Sequence, residues 1–179
     1  MATPDRPLDQ TVALVTGASS GIGAATAVSL AALGARVALV ARRSDRLEEL
    51  ATQIRAGGAT STVITADVTQ QAEAERAVAQ TVSELGRLDT LVNNAGVMLL
   101  GPVVDAPVDE WERMVQINLL GLLYCTHAAL PHLLRAAEDS PRQVADLVNI
   151  SSVAGRETRE KGGSSTCSTG SSCEGPAMS

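Results

Sequence analysis

The stretch Thr16-Gly17-Ala18-Ser19-Ser20-Gly21-Ile22-Gly23 decides the fold of this chain. It follows a short apolar run that ends at Val15 and leads into an alanine-rich segment that ends at Leu33. A strand, a glycine-rich turn and a helix in this order form the setting in which such a turn binds the phosphates of a dinucleotide. Gly17 can take a positive φ for the tight turn, and Gly21 and Gly23 have no Cβ to block a close approach. The free N–H groups at the start of the helix then face the phosphates. Taken alone, the stretch also fits an ordinary strand-to-helix loop.

Strand and helix patterns alternate along the rest of the chain. The apolar runs predict strands at residues 12–16, 36–41, 60–66, 88–92 and 144–150. Helical spacing predicts helices at residues 22–33, 74–85 and 109–134, and a further helix that closes at Gly57-Gly58. The spacing of Asp45 and Glu48 predicts a capping box at the start of that further helix. Residues 136–143 are predicted to form a surface loop.

This order of elements predicts an α/β fold. Buried strands that alternate with helices form a parallel sheet with helices on both faces, and right-handed crossovers make it doubly wound. We therefore expect a Rossmann-type doubly wound sheet, incomplete at about five strands, in the order 3-2-1-4-5.

Bulk composition indicates a single globular domain and excludes several functions. A chain of 179 residues can bury one core, and a net charge of −6 argues against nonspecific nucleic-acid binding. No apolar run approaches membrane-spanning length, and the polar first ten residues hold no apolar signal core, so we expect a cytoplasmic protein. Cys125 lies in an apolar run and is expected in the core. Cys167 and Cys173 match no metal-binding spacing, so no metal site is predicted.

The composition changes after Arg156. Residues 157–161 are charged, and residues 162–179 are mainly Gly, Ser, Thr and Cys with almost no large apolar side chain. Such a segment cannot bury enough surface to offset its ordering entropy. We therefore expect a dinucleotide-binding domain over residues 1–156 and a disordered tail over residues 157–179.

Several short motifs follow one another along the chain, and their order is informative: residues 16–23, Asp67, Asn93-Asn94-Ala95-Gly96, Asn118 and Ile150-Ser151-Ser152. Together they resemble the short-chain dehydrogenase/reductase family over residues 8–156. Residues 89–121, including Gly96 to Pro102, are similar to the branch of clavulanate dehydrogenase-like reductases. The resemblance implies hydride transfer between a nicotinamide cofactor and a small-molecule carbonyl or secondary alcohol, in a family that is usually homo-oligomeric.

The end of the second predicted strand indicates which nicotinamide cofactor is used. An NAD enzyme places an acid there to hold the ribose 2′-hydroxyl, whereas this chain has Ala41 followed by Arg42 and Arg43. A guanidinium can bind a 2′-phosphate through charge-assisted hydrogen bonds. The sequence therefore predicts NADP rather than NAD, with Arg42 as the closer contact. The alternative is that both arginines are solvated loop charges.

The resemblance also assigns roles around the cofactor. Asp67 would contact the adenine with Val68 beside it, although Asp67 could instead cap the turn before Thr69. The cofactor would also be lined by Asn94, Ala95 and Gly96, which could otherwise form a plain turn.

Two further residues are implied to be catalytic. Asn118 would distort its helix and hold a water in a proton relay, and Ser152 would hydrogen-bond the substrate carbonyl oxygen, with Ser151 as second choice. The alternatives are a helix-packing asparagine and simple turn chemistry.

The family's proton donor, a Tyr followed four residues later by a Lys, is not found in the sequence. The only Tyr is Tyr124, which precedes Ser152, and the only Lys is Lys161. We expect this chain to be inactive as written, and a frameshift shortly after Arg156 would explain the change of composition there. The alternative is a non-catalytic nucleotide-binding remnant. Either way, the chain is expected to be truncated, with an exposed fifth strand, an exposed long helix and a lost oligomer interface.

Overall fold

The computed structural model of the chain describes residues 6–99, 104–139 and 142–152. The expected tail at residues 157–179 and the expected frameshift lie outside these ranges. Strands are β1 Val12–Thr16, β2 Arg36–Ala41, β3 Ser61–Thr65, β4 Thr90–Asn93 and β5 Asp146–Asn149. Helices are α1 Gly21–Ala32, α2 Ser44–Ala56, α3 Gln71–Leu85, α4 Val108–Val115 and α5 Leu122–Asp139, with a π-helical segment at Gln116–Gly121 between the last two.

The five strands form one parallel sheet in the order β3-β2-β1-β4-β5. This confirms the predicted doubly wound α/β fold and its strand order. In the register of the central pairs, Leu14 lies opposite Ala38 on one side and Leu91 on the other. Strand order therefore reverses at β1, with β2 and β4 as its two neighbours.

Two apolar layers cover the two faces of the sheet. Because successive side chains of a strand point to opposite faces, β1 supplies Leu14 to one layer and Val15 to the other. Helices α3 and α5 close the first layer, with Val78 and Cys125 among its buried side chains. Helices α1 and α2 close the second layer, which includes Leu47.

The β5 edge and the outer side of the long helix remain exposed in the described chain. Leu147 and Val148 are about two fifths exposed, and Leu134 is 65% exposed. By length and composition, the continuous helix Val108–Asp139 could cross a membrane. Its inner face packs on the sheet through the buried side chains of Cys125 and Ala129.

Two local predictions are wrong. The capping box at Asp45 and Glu48 does not form, because α2 begins at Ser44 and Arg43 precedes it without a side-chain cap. The predicted loop at residues 136–143 begins too early, because α5 continues to Asp139. Ala136 is buried on the same face of α5 as Leu133, and its carbonyl oxygen accepts from Arg87 Nη2 at 3.5 Å, so tertiary contacts extend the helix past its apolar sequence pattern.

Candidate functional site

The carboxyl ends of β1, β2, β3 and β4 meet at a cleft of about 340 Å³, here called the carboxyl-edge cleft. In open α/β sheets, ligands bind at this edge, where the strand order reverses. The predicted residues that line the cleft are Gly17, Ser19, Ser20, Arg42, Arg43, Asp67, Val68, Asn94, Ala95 and Gly96. Gly21, Ile22, Gly23, Asn118 and Ser152 are not among its lining residues.

The glycine turn has the backbone that a phosphate cradle requires. Gly17 has a φ of 66°, and a Cβ there would lie 2.8 Å from Ala95 Cα. Gly23 is buried in the first turn of α1, where a Cβ would lie 2.5 Å from the carbonyl oxygen of Gly17. A Cβ at Gly21 would meet nothing within 4 Å, so the space above the helix start is open. These residues fit a dinucleotide pyrophosphate, which needs close backbone approach and free N–H groups at the start of a helix.

A hydrogen-bonded brace holds the glycine turn against the end of β4. The Asn94 side-chain amide donates to the carbonyl oxygens of Thr16 (3.0 Å) and Gly17 (3.3 Å). In return, the Thr16 hydroxyl oxygen accepts from the N–H groups of Asn94 and Ala95, both at 3.0 Å. Asn94 therefore braces the glycine turn against the end of β4. The part played by the buried Thr16 hydroxyl was not foreseen, because a threonine at a strand end carries no distinctive sequence signal.

The two arginines after β2 extend in different directions. Arg43 Nη2 donates to Ser19 Oγ (3.1 Å) and Ser20 Oγ (2.9 Å), which places its charge beside the glycine turn. Arg42 Nη1 lies 3.9 Å from Asp67 Oδ2, with its side chain 63% exposed. Two guanidinium groups and one carboxylate thus share this side of the cleft, which suits an anionic ligand.

Asp67 forms the turn considered as its alternative role and also lines the cleft, while its contact with adenine stays a prediction. Its Oδ1 accepts from the Thr69 N–H (3.0 Å) and the Thr69 hydroxyl (2.8 Å), which closes the turn before α3. Its own N–H donates to Glu73 Oε2 at 2.7 Å. The same residue lines the cleft, so the turn bonds hold the carboxylate at the rim beside Arg42.

Asn118 lies inside the π-helical segment and holds the loop that follows β4. Its Oδ1 accepts the Val97 N–H at 2.8 Å, and its Nδ2 donates to the Val97 carbonyl at 2.9 Å. A π-helical turn is a local distortion that occurs often at functional sites, and here it coincides with the distortion implied by the family resemblance. The neighbouring Ile117 and Arg113 line the cleft, and neither was predicted to do so.

Ser151 and Ser152 follow β5 after Ile150, and both are exposed. The end of β5 is fixed by Asn93, whose Nδ2 donates to Asn149 Oδ1 and to Thr126 Oγ1, both at 3.0 Å. This contact among β4, β5 and α5 was not predicted, because three residues so far apart in sequence meet only in the folded chain. Tyr124 packs against the core layer, as expected.

The sequence model described as short chain dehydrogenase matches residues 11–169. This chain belongs to the short-chain dehydrogenase family. The match begins just before β1 and extends past Arg156, where the sequence resemblance was expected to end.

Curated relatives agree with this family. The short-chain dehydrogenase chain is 39% identical over 158 residues to an uncharacterized oxidoreductase of Staphylococcus saprophyticus, covering 86% of this chain and 64% of the relative. It is 44% identical over 154 residues to the glycine betaine reductase ATRR of Emericella nidulans, covering 86% of this chain but only 12% of that protein. The chain therefore spans less than two thirds of the length of either relative.

Solved structures match the fold. A short-chain type dehydrogenase/reductase from Mycobacterium marinum superposes with a TM-score of 0.80 at 30% identity, covering 89% of this chain and 62% of that one. A double mutant of a Serratia marcescens short-chain dehydrogenase/reductase gives a TM-score of 0.78 at 35% identity, covering 88% and 61%.

Within the described ranges, this short-chain dehydrogenase has no group of three or more His, Cys, Asp or Glu side chains that could hold a metal ion. Cys125 is a buried free thiol, and burial raises its pKa to about 12. It therefore acts as a small apolar core residue. Cys167, Cys173 and Lys161 lie outside the described residues.

Proposed function

We propose that this chain binds NADP(H) in the carboxyl-edge cleft and descends from reductases that act on a carbonyl or a secondary alcohol. The observation that carries the choice of cofactor is the end of β2. Ala41 stands where an acid would hold an NAD ribose, and the two residues after it are arginines that line the cleft. A nearby carboxylate would repel a 2′-phosphate. The carboxylate of Asp67 lies 3.9 Å from the Arg42 guanidinium, whose positive charge offsets that repulsion.

The chain's own residues would divide the binding work along the cleft. The N–H groups at the start of α1 would receive the pyrophosphate, because the helix dipole favours negative charge there. Arg43 would exchange the two serine hydroxyls for oxygens of the 2′-phosphate, and Arg42 would contribute the second positive charge. Asn118 would hold the loop at Val97 beside the nicotinamide end. NADPH, when bound, supplies the hydride.

The cofactor assignment is tested by measuring the Kd of NADPH and of NADH for the chain and for Arg42→Ala and Arg43→Ala. Loss of a charge-assisted hydrogen bond of about 1.5–3 kcal/mol should weaken NADPH binding about 10- to 100-fold and leave NADH binding unchanged. Arg46→Ala is the matched control, because Arg46 is an exposed arginine of α2 whose partner is Glu49. Equal losses for NADPH and NADH in both variants would contradict the proposal. The relative losses also decide whether Arg42 or Arg43 is the closer contact.

A second proposal is that the chain binds the cofactor without normal turnover. The supporting observation is that Tyr124 is the only Tyr of the sequence and packs against the core, while the family's Tyr and Lys pair does not follow Ser152. Ser152 Oγ could still donate to a carbonyl oxygen, but a proton donor for the product would be missing. NADPH binding without NADPH oxidation on a panel of aldehydes and ketones supports this proposal. Steady turnover in the same assay would contradict it.

We also propose that a change of reading frame after Arg156 accounts for the missing pair. Sequencing the gene downstream of that codon tests this directly. An alternative frame that encodes Tyr-x-x-x-Lys supports it, and the lack of such a frame contradicts it. The likeness to clavulanate dehydrogenase-like reductases stays a prediction, since part of its motif, Leu100 to Pro102, lies outside the described residues.

A further inference from the structure

A second cleft, of about 490 Å³, lies at the amino ends of the strands, on the opposite side of the sheet from the first. It is formed by the segments that precede β1, β2 and β3 and by the turn before β4. We call it the amino-edge cleft. Since the start of α1 and the carboxyl ends of the strands lie on the opposite side, a ligand here would not compete for the carboxyl-edge cleft.

Positive charge is concentrated around the amino-edge cleft although the whole chain carries a net charge of −6. Arg6, Arg36 and Arg87 line it, and Asp9 is the one carboxylate among its lining residues. Arg87 is neutralised by the buried Asp89, to which it donates through two nitrogens at 2.8 Å each. Within the described residues, the guanidinium groups of Arg6 and Arg36 have no carboxylate within ion-pair distance.

The walls of this cleft are held in place by hydrogen bonds. The Leu8 N–H donates to the Leu33 carbonyl at 3.1 Å, and the Thr11 hydroxyl donates to the Leu8 carbonyl at 2.6 Å. These bonds fix the segment that carries Arg6 and Asp9 onto the turn between α1 and β2. Because the backbone of these walls is fixed before any ligand arrives, little backbone conformational entropy would be lost on binding.

We propose that the amino-edge cleft is a binding site for a small anion that carries phosphate groups. Arginine side chains bind phosphate oxygens through two parallel N–H bonds, which gives both charge and geometric selectivity. Asp9 would repel an anion in this cleft, so binding depends on the guanidinium groups of Arg6 and Arg36, which together outweigh that single carboxylate. This proposal is independent of the cofactor proposed above.

The test is a titration of the 15N-labelled full chain with inorganic pyrophosphate at constant ionic strength, followed by NMR. We expect saturable shifts of the amides of Gly34, Gly58 and Thr60, both with and without saturating NADPH. Arg36→Ala should weaken the pyrophosphate Kd at least about 10-fold, as expected for loss of one charged hydrogen-bond donor. Arg46→Ala, which removes an exposed arginine of α2 far from this cleft, should bind pyrophosphate as the unmodified chain does.

Three outcomes would overturn the proposal. Shifts confined to Ser19 and Ser20 would place the anion in the carboxyl-edge cleft. Shifts that grow linearly without saturation would reduce the effect to general charge screening. Unchanged pyrophosphate affinity in a folded Arg36→Ala variant would show that Arg36 does not bind the anion. Should that variant unfold, Arg6→Ala decides in the same way, because Arg6 is exposed and belongs to no strand or helix.

Discussion

Replacing Asn94 with aspartate should destabilise the chain and weaken NADPH binding together, because Asn94 braces the glycine turn. The substitution keeps the shape of the side chain but turns its donating nitrogen into an oxygen. Two donated bonds to the carbonyls of Thr16 and Gly17 are lost, each worth about 0.5–1.5 kcal/mol. The new oxygen also faces two carbonyl oxygens at a half-buried position, so the total loss should be about 2–4 kcal/mol. That is a large share of the ~5–15 kcal/mol by which most domains are stable.

Urea unfolding followed by circular dichroism measures this loss. Gln53→Glu is the matched amide-to-acid control, because the Gln53 side chain is exposed on α2. Protonation of the new carboxyl restores a donor. The difference in unfolding free energy between variant and unmodified chain should therefore shrink as the pH is lowered from 7 towards about 4, the usual range for an Asp carboxyl. A loss equal to that of the control, or one that does not change with pH, would refute the role assigned to the Asn94 brace.

Three further predictions concern a buried ion pair, a buried thiol and a surface hydrogen bond. Asp89→Ala should lower the free energy of unfolding by about 3–5 kcal/mol, because the fully buried carboxylate pairs with Arg87 and accepts a hydrogen bond from the Val12 N–H, and both groups would lose their partner. Urea unfolding measures this loss, and it should be far smaller for Glu49→Ala, which removes an exposed ion pair with Arg46. Cys125, whose pKa burial raises to about 12, should react with iodoacetamide at pH 8 roughly 100-fold or more slowly in the native chain than in urea, and comparable rates by peptide mass spectrometry would disprove its burial. Thr62→Val should raise the pKa of Glu84 towards its ordinary value, because the Thr62 hydroxyl donates to that carboxylate and lowers its pKa; an unchanged Glu84 titration by NMR would be evidence against the contact.

Much of the fold could be predicted because it depends on local pattern and on general rules of connection. Apolar runs such as those of β1 and β2 mark strands buried on both faces, and right-handed crossovers leave few possible strand orders. The position of the carboxyl-edge cleft could be predicted from the glycine turn, because a strand, a turn and a helix in that order bring the turn to the carboxyl ends of the strands. The end of α5 could not be predicted, because it depends on the burial of Ala136 and its contact with Arg87 rather than on the sequence around it.

The contacts that complete the candidate site were less predictable. The Thr16 hydroxyl, the Asn93 contact with Asn149 and the Asp89 carboxylate all act between residues more than fifty positions apart. Single polar residues of this kind carry no periodic signal, so only the folded chain shows which partners they meet. The direction of Arg43 is a similar case, because an arginine after a strand can extend to either side of the cleft.

The preference for NADPH over NADH is the measurement that tests the central claim most directly. Isothermal titration of the full chain with each cofactor gives the two Kd values under identical conditions. With Arg42 and Arg43 beside the cleft and no acid at Ala41, we expect NADPH to bind at least about 10-fold more tightly, with the difference falling as salt is raised. Equal affinities, or tighter binding of NADH, would contradict the account of this cleft as an NADP(H) site.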